Sequence, residues 1–433
     1  MAKRKNVLVM MCDHHRYDAL GFLGNPMAIT PNLDELASRS VLFENCFNQS
    51  PVCSPARHSL ATGRYAHAHG VLSNTHMPYP GMVTIGHALR EIGYRRINLG
   101  HMHWKDLEMD TGFEPWISHD KWRRAMSGDV MTRYAWESDH ITRRTTGGPS
   151  SRTREQYSGY YVANNAIEEI SSAVENGDNF LCWAAFSEPH PPFYPPKEIY
   201  ERIDQSKIEL PEQSGEGNRP PSEYILKRRR EWENLTEVEI RQMIAGYYGM
   251  VELVDGYIGM VMDHIDQLGI RDDTIVIWTV DHGDQLWEHE LFLKFNMYEA
   301  SVHVPLLVDI PGNPPGIRGE LVEHVDIFPT ICDLLGVEIP GTVQGRSLAP
   351  LLEGGPSAEW REAIFSQIRD VQMVRTKDMK LVLYAGKPGE LYDIERDPCE
   401  LDNLVTDPGY ASTIESLRDR ILDWERTNAP TAF

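Results

Sequence analysis

The run Asn6-Val7-Leu8-Val9-Met10-Met11-Cys12 is apolar after its first residue and stops abruptly at Asp13-His14-His15-Arg16. A strand with one wet face alternates apolar and polar residues. A run without alternation is covered on both faces, as strands of parallel sheets are. The run falls well short of the ~20 apolar residues that a membrane helix needs. The basic start, Met1-Ala2-Lys3-Arg4-Lys5, imitates an export signal, but no small-residue cleavage site follows the apolar run. It reads as a buried first strand.

The same pattern recurs downstream. Asn32 to Arg39 has helical periodicity. A helix over Thr84 to Ile92 leads to a short strand, Arg95 to Leu99, and another over Gln156 to Val174 leads to Asn179 to Phe186. A long amphipathic helix, Met243 to Gln267, feeds the strand Thr274 to Val280. Such alternation predicts an α/β fold with a large, mostly parallel sheet sandwiched between helices. Ligands collect at the carboxyl ends of those strands. The residues to interrogate are therefore Asp13-His14, His101-Met102-His103, Glu188-Pro189-His190 and Asp281-His282.

From Glu359 the pattern changes to short runs, Ala363 to Ile368, Val371 to Val374 and Lys380 to Tyr384, closed by a helix near Ser412 to Arg426. Two domains are expected: residues 1–358, and a small C-terminal α+β domain over 359–433 with an antiparallel sheet. Residues 205–240 are polar and broken by Pro and Gly, which predicts an exposed insertion. That segment and the loop from Glu108 to Gly148 are expected to wall the substrate pocket.

With 64 acidic against 42 basic residues in 433, the net charge of -22 excludes a surface that wraps nucleic acid. The one basic cluster, Lys227-Arg228-Arg229-Arg230, sits among Glu223, Glu231 and Glu233 and reads as a solvated helix face. Neither nucleic acid nor membrane is an expected partner. Six scattered cysteines do not form a disulfide framework, so a reducing cytoplasm is the expected compartment.

One segment carries chemistry by itself. Cys53-x-Pro55-x-Arg57 followed by Thr62-Gly63 fixes five positions; at ~5% per residue type, chance agreement is on the order of one in ten thousand. The segment resembles the signature of the type I sulfatases in the alkaline phosphatase-like superfamily. The resemblance implies that Cys53 is oxidised to formylglycine by a formylglycine-generating enzyme. The aldehyde hydrates to a gem-diol; one hydroxyl attacks sulfur and expels the alcohol, and the second loses its proton as the hemiacetal collapses to the aldehyde and expels sulfate. Arg57 is then the cation that steadies the nucleophile beside the metal.

The rest of the pattern follows residue by residue. The resemblance implies one divalent metal ion held by Asp13, Asp281, His282 and the Cys53-derived group. Many sulfatases have Asp where this chain has His14, and Asn where it has His282. In this respect the chain is similar to the phosphonate monoester hydrolase branch. Ca²⁺ is the expected ion, with Mn²⁺ as the alternative that imidazole favours. His14 either binds that ion or supports a ligand, and the sequence leaves both open.

Gly100-His101-Met102-His103 resembles a Gly-Lys-x-His segment that contacts sulfate, with His101 in place of lysine and His103 matching. Because His101 is charged only below its pKa, its contribution is expected to depend on pH. Within Glu188-Pro189-His190-Pro191-Pro192-Phe193, His190 is the expected general acid to the leaving oxygen. Lys294 is the expected lysine bridging sulfate and nucleophile, and Asn74 an expected substrate contact. Leu391-Tyr392-Asp393 and Asn403-Leu404 also look like the sulfatase C-terminal region, so the resemblance spans essentially the whole chain.

The expected activity is metal-dependent hydrolysis of sulfate monoesters, arylsulfatase-like, on a small anionic ester. Cleavage of phosphonate monoesters or phosphodiesters is the alternative. A homo-oligomer is a family-level expectation.

Overall fold

The structure, a computed structural model, describes residues 4–104, 109–118, 122–123, 126, 128, 147–215, 222–355 and 360–429. Among the described residues its main sheet has eight strands: β1 (Asn6–Asp13), β2 (Val41–Phe47), β3 (Arg95–Gly100), β4 (Trp116–Ser118), β5 (Phe180–Pro189), β6 (Thr274–Val280), β7 (His303–Asp309) and β8 (Gly316–Glu323). Their spatial order is β4-β3-β5-β1-β6-β7-β2-β8. The first strand thus lies near the centre, parallel to β5 on one side and β6 on the other.

Every residue of β1 is buried, as its lack of alternation predicts. Each such apolar side chain contributes about 1.5–3 kcal/mol relative to exposure, enough to fix the register. That register pairs Asp13 with Pro189 and Cys12 with Val280. The carboxyl ends of β1, β5 and β6 therefore finish side by side, and their first polar residues share one edge.

The helix Glu237–Gln267 packs with Pro31–Arg39 and with Ser158–Asn176, and it and Ser158–Asn176 lie on β5, while Cys53–Thr62 packs with Ile85–Arg90 and Ile327–Leu335. A capping box, Thr236 with Glu239, starts the long helix Glu237–Gln267. Among the described residues no helix is long and apolar enough to cross a membrane.

One strand breaks the parallel pattern. β7 runs antiparallel to both β6 and β2. β2 is irregular between Phe43 and Asn45 or Cys46, where its pairing shifts register. The exposed Glu44 at that shift interrupts the apolar run, which is why the sequence does not read as a strand there.

The second sheet is antiparallel, in the order β12 (Lys387–Asp393), β11 (Met379–Tyr384), β10 (Val371–Arg375) and β9 (Ile364–Ile368). The helix Ala411–Thr427 lies on β10, β11 and β12. Buried ion pairs tie this sheet to the main body, including Arg361 with Glu323 at 2.8 Å and Lys380 with Glu299 at 2.9 Å. The expected division after residue 358 lies outside the described residues, as does most of the loop over 108–148.

Residues 205–240 correct an expectation. They are not simply exposed: they carry the helix Glu223–Trp232, whose Ile225 and Trp232 are buried. Arg229, from the cluster expected to be solvated, is buried too and donates from Nε to the His289 carbonyl at 2.8 Å. A narrow apolar stripe at helical spacing is easily lost in a polar composition.

Candidate active site

Cys53 opens the helix Cys53–Thr62, all ten residues of which are buried. Pro55 fits the first turn, where no intrahelical N–H partner is needed. Gly63 closes the helix at φ 63°, and a Cβ there would meet Val343 at 2.8 Å, so Thr62-Gly63 ends the motif for a steric reason. The Ser54 N–H donates to Asn74 Oδ1 at 2.9 Å. The sulfur thus sits at the positive end of a helix dipole, anchored from a separate loop.

Arg57, one turn along, joins two strand ends. Its Nη2 donates to Asp13 Oδ2 and its Nε to Asp281 Oδ2, both at 2.9 Å. All three side chains are essentially inaccessible to solvent. Removing Arg57 from such a triad would cost about 3–5 kcal/mol, because two buried carboxylates would lose their partner. Burial and the neighbouring Asp281 raise the Asp13 carboxyl above its ordinary range. Burial opposes ionisation of Asp281 as well, yet His282, Arg57 and Lys294 hold it below the usual carboxylate range. The third Arg57 nitrogen, Nη1, is buried without a hydrogen-bond partner, a donor left over for an oxygen anion.

The other carboxylate oxygens face a second group. Asp13 Oδ1 lies 3.6 Å from His282 Nε2, Asp281 Oδ1 lies 3.5 Å from it, and Cys53 Sγ 3.2 Å. Cys53 Sγ is 3.7 Å from Asp13 Oδ1. Donor atoms around a cation with bonds of about 2.0–2.4 Å stand roughly 3–3.5 Å apart. Two carboxylates, an imidazole and the nucleophile position therefore fit one divalent cation. His282 Nδ1 lies 3.0 Å from the Gly283 carbonyl, which makes Nδ1–H the donor and frees Nε2 to bind metal.

His14 is part of the same knot. Its φ of 67° lies in the left-handed region, uncommon for histidine. Its Nδ1 is 2.9 Å from Asp284 Oδ2, and its Nε2 contacts the Lys294 ammonium. Asp13, His14, Cys53 and His190 bring ligand atoms within 4.8 Å of one another. Asp284 is a residue the sequence reading missed. Besides holding His14, its Oδ1 accepts from the Leu286 and Leu293 N–H groups at 2.9 and 3.1 Å. It thereby braces the loop that delivers Lys294. Its position two residues after His282 was the available signal.

Lys294 lies with Nζ 3.0 Å from Cys53 Sγ. Burial works against its charge, but Cys53, Asp13 and Asp281 raise its pKa. Burial, then the Asp13 charge, pushes the Cys53 thiol up to about 12; an unmodified thiol here is a poor nucleophile at neutral pH.

A chamber of about 250 Å³ opens over this knot, lined among others by Cys53, Asn74, His101, His103 and His190. His101 and His103 face each other, Nε2 to Nε2 at 2.5 Å, so at most one of the two nitrogens carries a proton between them. Burial, then Arg57, holds His103 well below its ordinary pKa. Burial likewise pushes His190 down to about 3, and its Nδ1 is 2.6 Å from the Pro191 carbonyl. The neutral tautomer assigned from that bond carries the proton on Nδ1, leaving Nε2 an acceptor. His190 must gain a proton before it can act as an acid. Arg152, Tyr157 and Glu188 also line the chamber; for Arg152 and Tyr157 no local sequence signal existed.

All the residues singled out from sequence thus converge on one strand edge. The sulfatase family model matches residues 5–337. The chain belongs to the sulfatase family. It is by that membership a sulfuric ester hydrolase. A second model, the N-sulphoglucosamine sulphohydrolase C-terminal region, matches residues 287–427 of this sulfatase. The multifunctional alkaline phosphatase superfamily protein PehA of Trinickia caryophylli is 28% identical, covering 98% of this chain and 96% of its own. The choline-sulfatase of Rhizobium meliloti strain 1021 is 27% identical over 98% and 87%. In fold, this sulfatase is similar to the phosphonate monoester hydrolase SpPMH from Silicibacter pomeroyi, with TM-score 0.83, 24% identity, and coverage of 98% and 96%.

Proposed function

We propose that this sulfatase hydrolyses sulfate monoesters by a metal-dependent mechanism with a formylglycine made from Cys53. The observation that carries the reading is the position of Cys53 Sγ, 3.2 Å from His282 Nε2 and 3.0 Å from Lys294 Nζ at a helix N-terminus. Hydrated, the aldehyde would supply one hydroxyl to attack sulfur with departure of the alcohol and a second to release sulfate, and Asp13, Asp281 and His282 would hold a divalent cation whose positive charge lowers the cost of both.

The chain's own residues do the remainder. Arg57 favours the ionised form of both carboxyls, against burial, and offers Nη1 to an oxygen anion. Lys294 balances charge that develops at the nucleophile and on the ester oxygens. His103 and His101, held together by the one proton between their Nε2 atoms, fix the chamber wall beside the anion. His190, neutral at rest, takes up a proton as the anionic ester arrives and passes it to the leaving oxygen. Asn74 orients the start of the nucleophile helix and borders the substrate.

The Asp281-His282 pair favours a second reading, cleavage of phosphonate monoesters or phosphodiesters, because imidazole in the ligand set suits ions such as Mn²⁺. PehA, named multifunctional, is in keeping with both chemistries. Ca²⁺ is the ion we assign first and Mn²⁺ second. Six unpaired thiols suit the cytoplasm, and maturation there requires a formylglycine-generating enzyme.

Mass spectrometry of the tryptic peptide Ser40 to Arg57 tests the central claim: the Cys53 thiol is expected as an aldehyde, with fragmentation separating it from Cys46. An intact thiol in fully active protein would overturn it. Rates on an aryl sulfate and a phenyl phosphonate ester, measured side by side, separate the two readings. Cys53→Ala is expected to abolish both with the fold retained.

A further inference from the structure

A second cavity, about 590 Å³, adjoins the catalytic chamber. Asn74 lines both. Val52, which precedes the nucleophile, and Phe295 and Asn296, which follow Lys294, line the outer one. Its boundary is thus built from chain neighbours of the very groups that meet at Cys53. The shared Asn74 makes this cavity a space next to an ester held over Cys53, and its volume is large enough for a ring alcohol.

The far walls come from two other places: the helix Glu223–Trp232, through Tyr224 and Arg228, and the second sheet, through Arg369, Asp370 and Tyr384. Tyr224 is 38% exposed, unusual for so large a ring, and meets Phe295 edge to face at 5.7 Å. Arg228 donates from Nε to the Tyr224 hydroxyl at 3.0 Å and pairs with Glu231 at 2.7 Å, which fixes the ring's attitude. The charges in the wall balance, Arg228 and Arg369 against Glu223 and Asp370.

The turn Arg369-Asp370 joins β9 to β10, with Ile368 paired to Val371. A two-residue hairpin turn with positive φ at its first central position favours Gly there. Here Arg369 adopts φ 52°, a conformation that costs an arginine free energy and a glycine none. A residue that violates its local rule at a cavity rim points to function.

We infer that the outer cavity is the subsite for the alcohol portion of the ester and selects uncharged ring alcohols with an apolar face, Tyr224 stacking on the ring and Arg369 donating to its oxygen substituents. The inference rests on the proposed ester hydrolysis. Aryl and pyranosyl alcohols share this chemistry, an apolar ring face with polar edges; a compact cation such as a quaternary ammonium does not.

The test compares wild type, Tyr224→Ala and Arg369→Gly on 4-nitrophenyl sulfate, a hexose 6-sulfate and methyl sulfate. Tyr224 is exposed and Arg369→Gly relieves the turn, so both variants are expected to fold. Loss of a stacked ring or its donor lowers kcat/KM about tenfold on the ring esters, mainly through KM, and less than twofold on methyl sulfate. The ratio of the aryl to the hexose effect tells the two ring sources apart. The same three esters are titrated calorimetrically into Cys53→Ala protein, alone and combined with Tyr224→Ala. If wild type turns over none of the three esters but ring-selective, Tyr224-dependent binding persists in the Cys53→Ala background, the hydrolytic reading fails and the subsite stands. If both variants handle ring esters as wild type does, or if losses on methyl sulfate match those on ring esters, the subsite assignment is overturned.

Discussion

The ammonium of Lys294 lies 3.0 Å from the Cys53 sulfur across 241 residues of sequence. Arg57, the neighbouring cation, is committed through Nε and Nη2 to Asp281 and Asp13. Lys294 is therefore the cation that lies directly against the nucleophile. Lys294→Met keeps the buried stem and removes the charge. Its kcat on an aryl sulfate is expected to fall about 10²–10³-fold, with a thermal unfolding midpoint within a few degrees of wild type. A variant that keeps most of its kcat would remove Lys294 from the mechanism.

Asp284 decides what His14 can do. Its carboxylate, 2.9 Å from His14 Nδ1, accepts the Nδ1 proton and leaves Nε2 with a lone pair. Asp284→Asn keeps the shape and can still accept from Leu286 and Leu293, but its NH₂ then faces Nδ1. The tautomer flips, and Nε2 becomes a donor that cannot bind metal. Mn²⁺ titrated calorimetrically into chelator-stripped protein is expected to bind about 10–100-fold more weakly. Unchanged affinity would make His14 a packing residue only.

Much of this site was readable because chemistry was punctuated by hydrophobicity. Asp13 and Asp281 each end a continuous apolar run, and parallel strands of a central sheet put such ends together. The Cys53 motif was legible because its spacing is helical geometry: Cys53 and Arg57 stand one turn apart on the same helix. What stayed hidden has equally physical causes. β7 is antiparallel among parallel strands, a matter of chain return that composition does not encode. Arg229 was assigned to water because charge run and burial conflict, and only its contact with the His289 carbonyl resolves them. Arg152 and Tyr157 reach the chamber from the start of a helix whose own pattern speaks only of its buried face.

His324 gives a pH test remote from the nucleophile. It is fully buried, with Nε2 3.1 Å from Thr279 Oγ1. Burial pushes its pKa down to about 3, against a smaller opposing pull from Asp281. The native state thus binds fewer protons than the unfolded one between that value and the unfolded pKa of about 6.5. The stability His324 contributes is complete above about pH 6.5 and is lost as the pH falls toward 3, with a slope of about 1.4 kcal/mol per pH unit. Urea unfolding of wild type and His324→Gln at pH 4.5, 5.5 and 6.5 is expected to give a difference that shrinks by about that amount per unit as the pH falls. A constant difference would mean that His324 is protonated in the native protein.

Gly100 ends β3 with φ 85°, and a Cβ there would stand 2.1 Å from the Ala185 carbonyl. Its backbone conformation and its closeness to β5 both exclude a side chain, and the next residue, His101, begins the chamber wall with an N–H donated to that same carbonyl at 3.1 Å. Gly100→Ala must therefore move the β3 end away from β5, taking His101 and His103 with it. The backbone term alone costs about 1–3 kcal/mol, and the clash adds to it, so a drop of several degrees in the unfolding midpoint is expected. Turnover should fall further than stability alone dictates, because the two imidazoles lose their shared proton geometry over Cys53. The discriminating measurement is kcat of the folded fraction at a temperature well below the lowered midpoint. Full kcat there would show that the His101-His103 segment re-forms independently of β3, and that the glycine serves packing without serving catalysis.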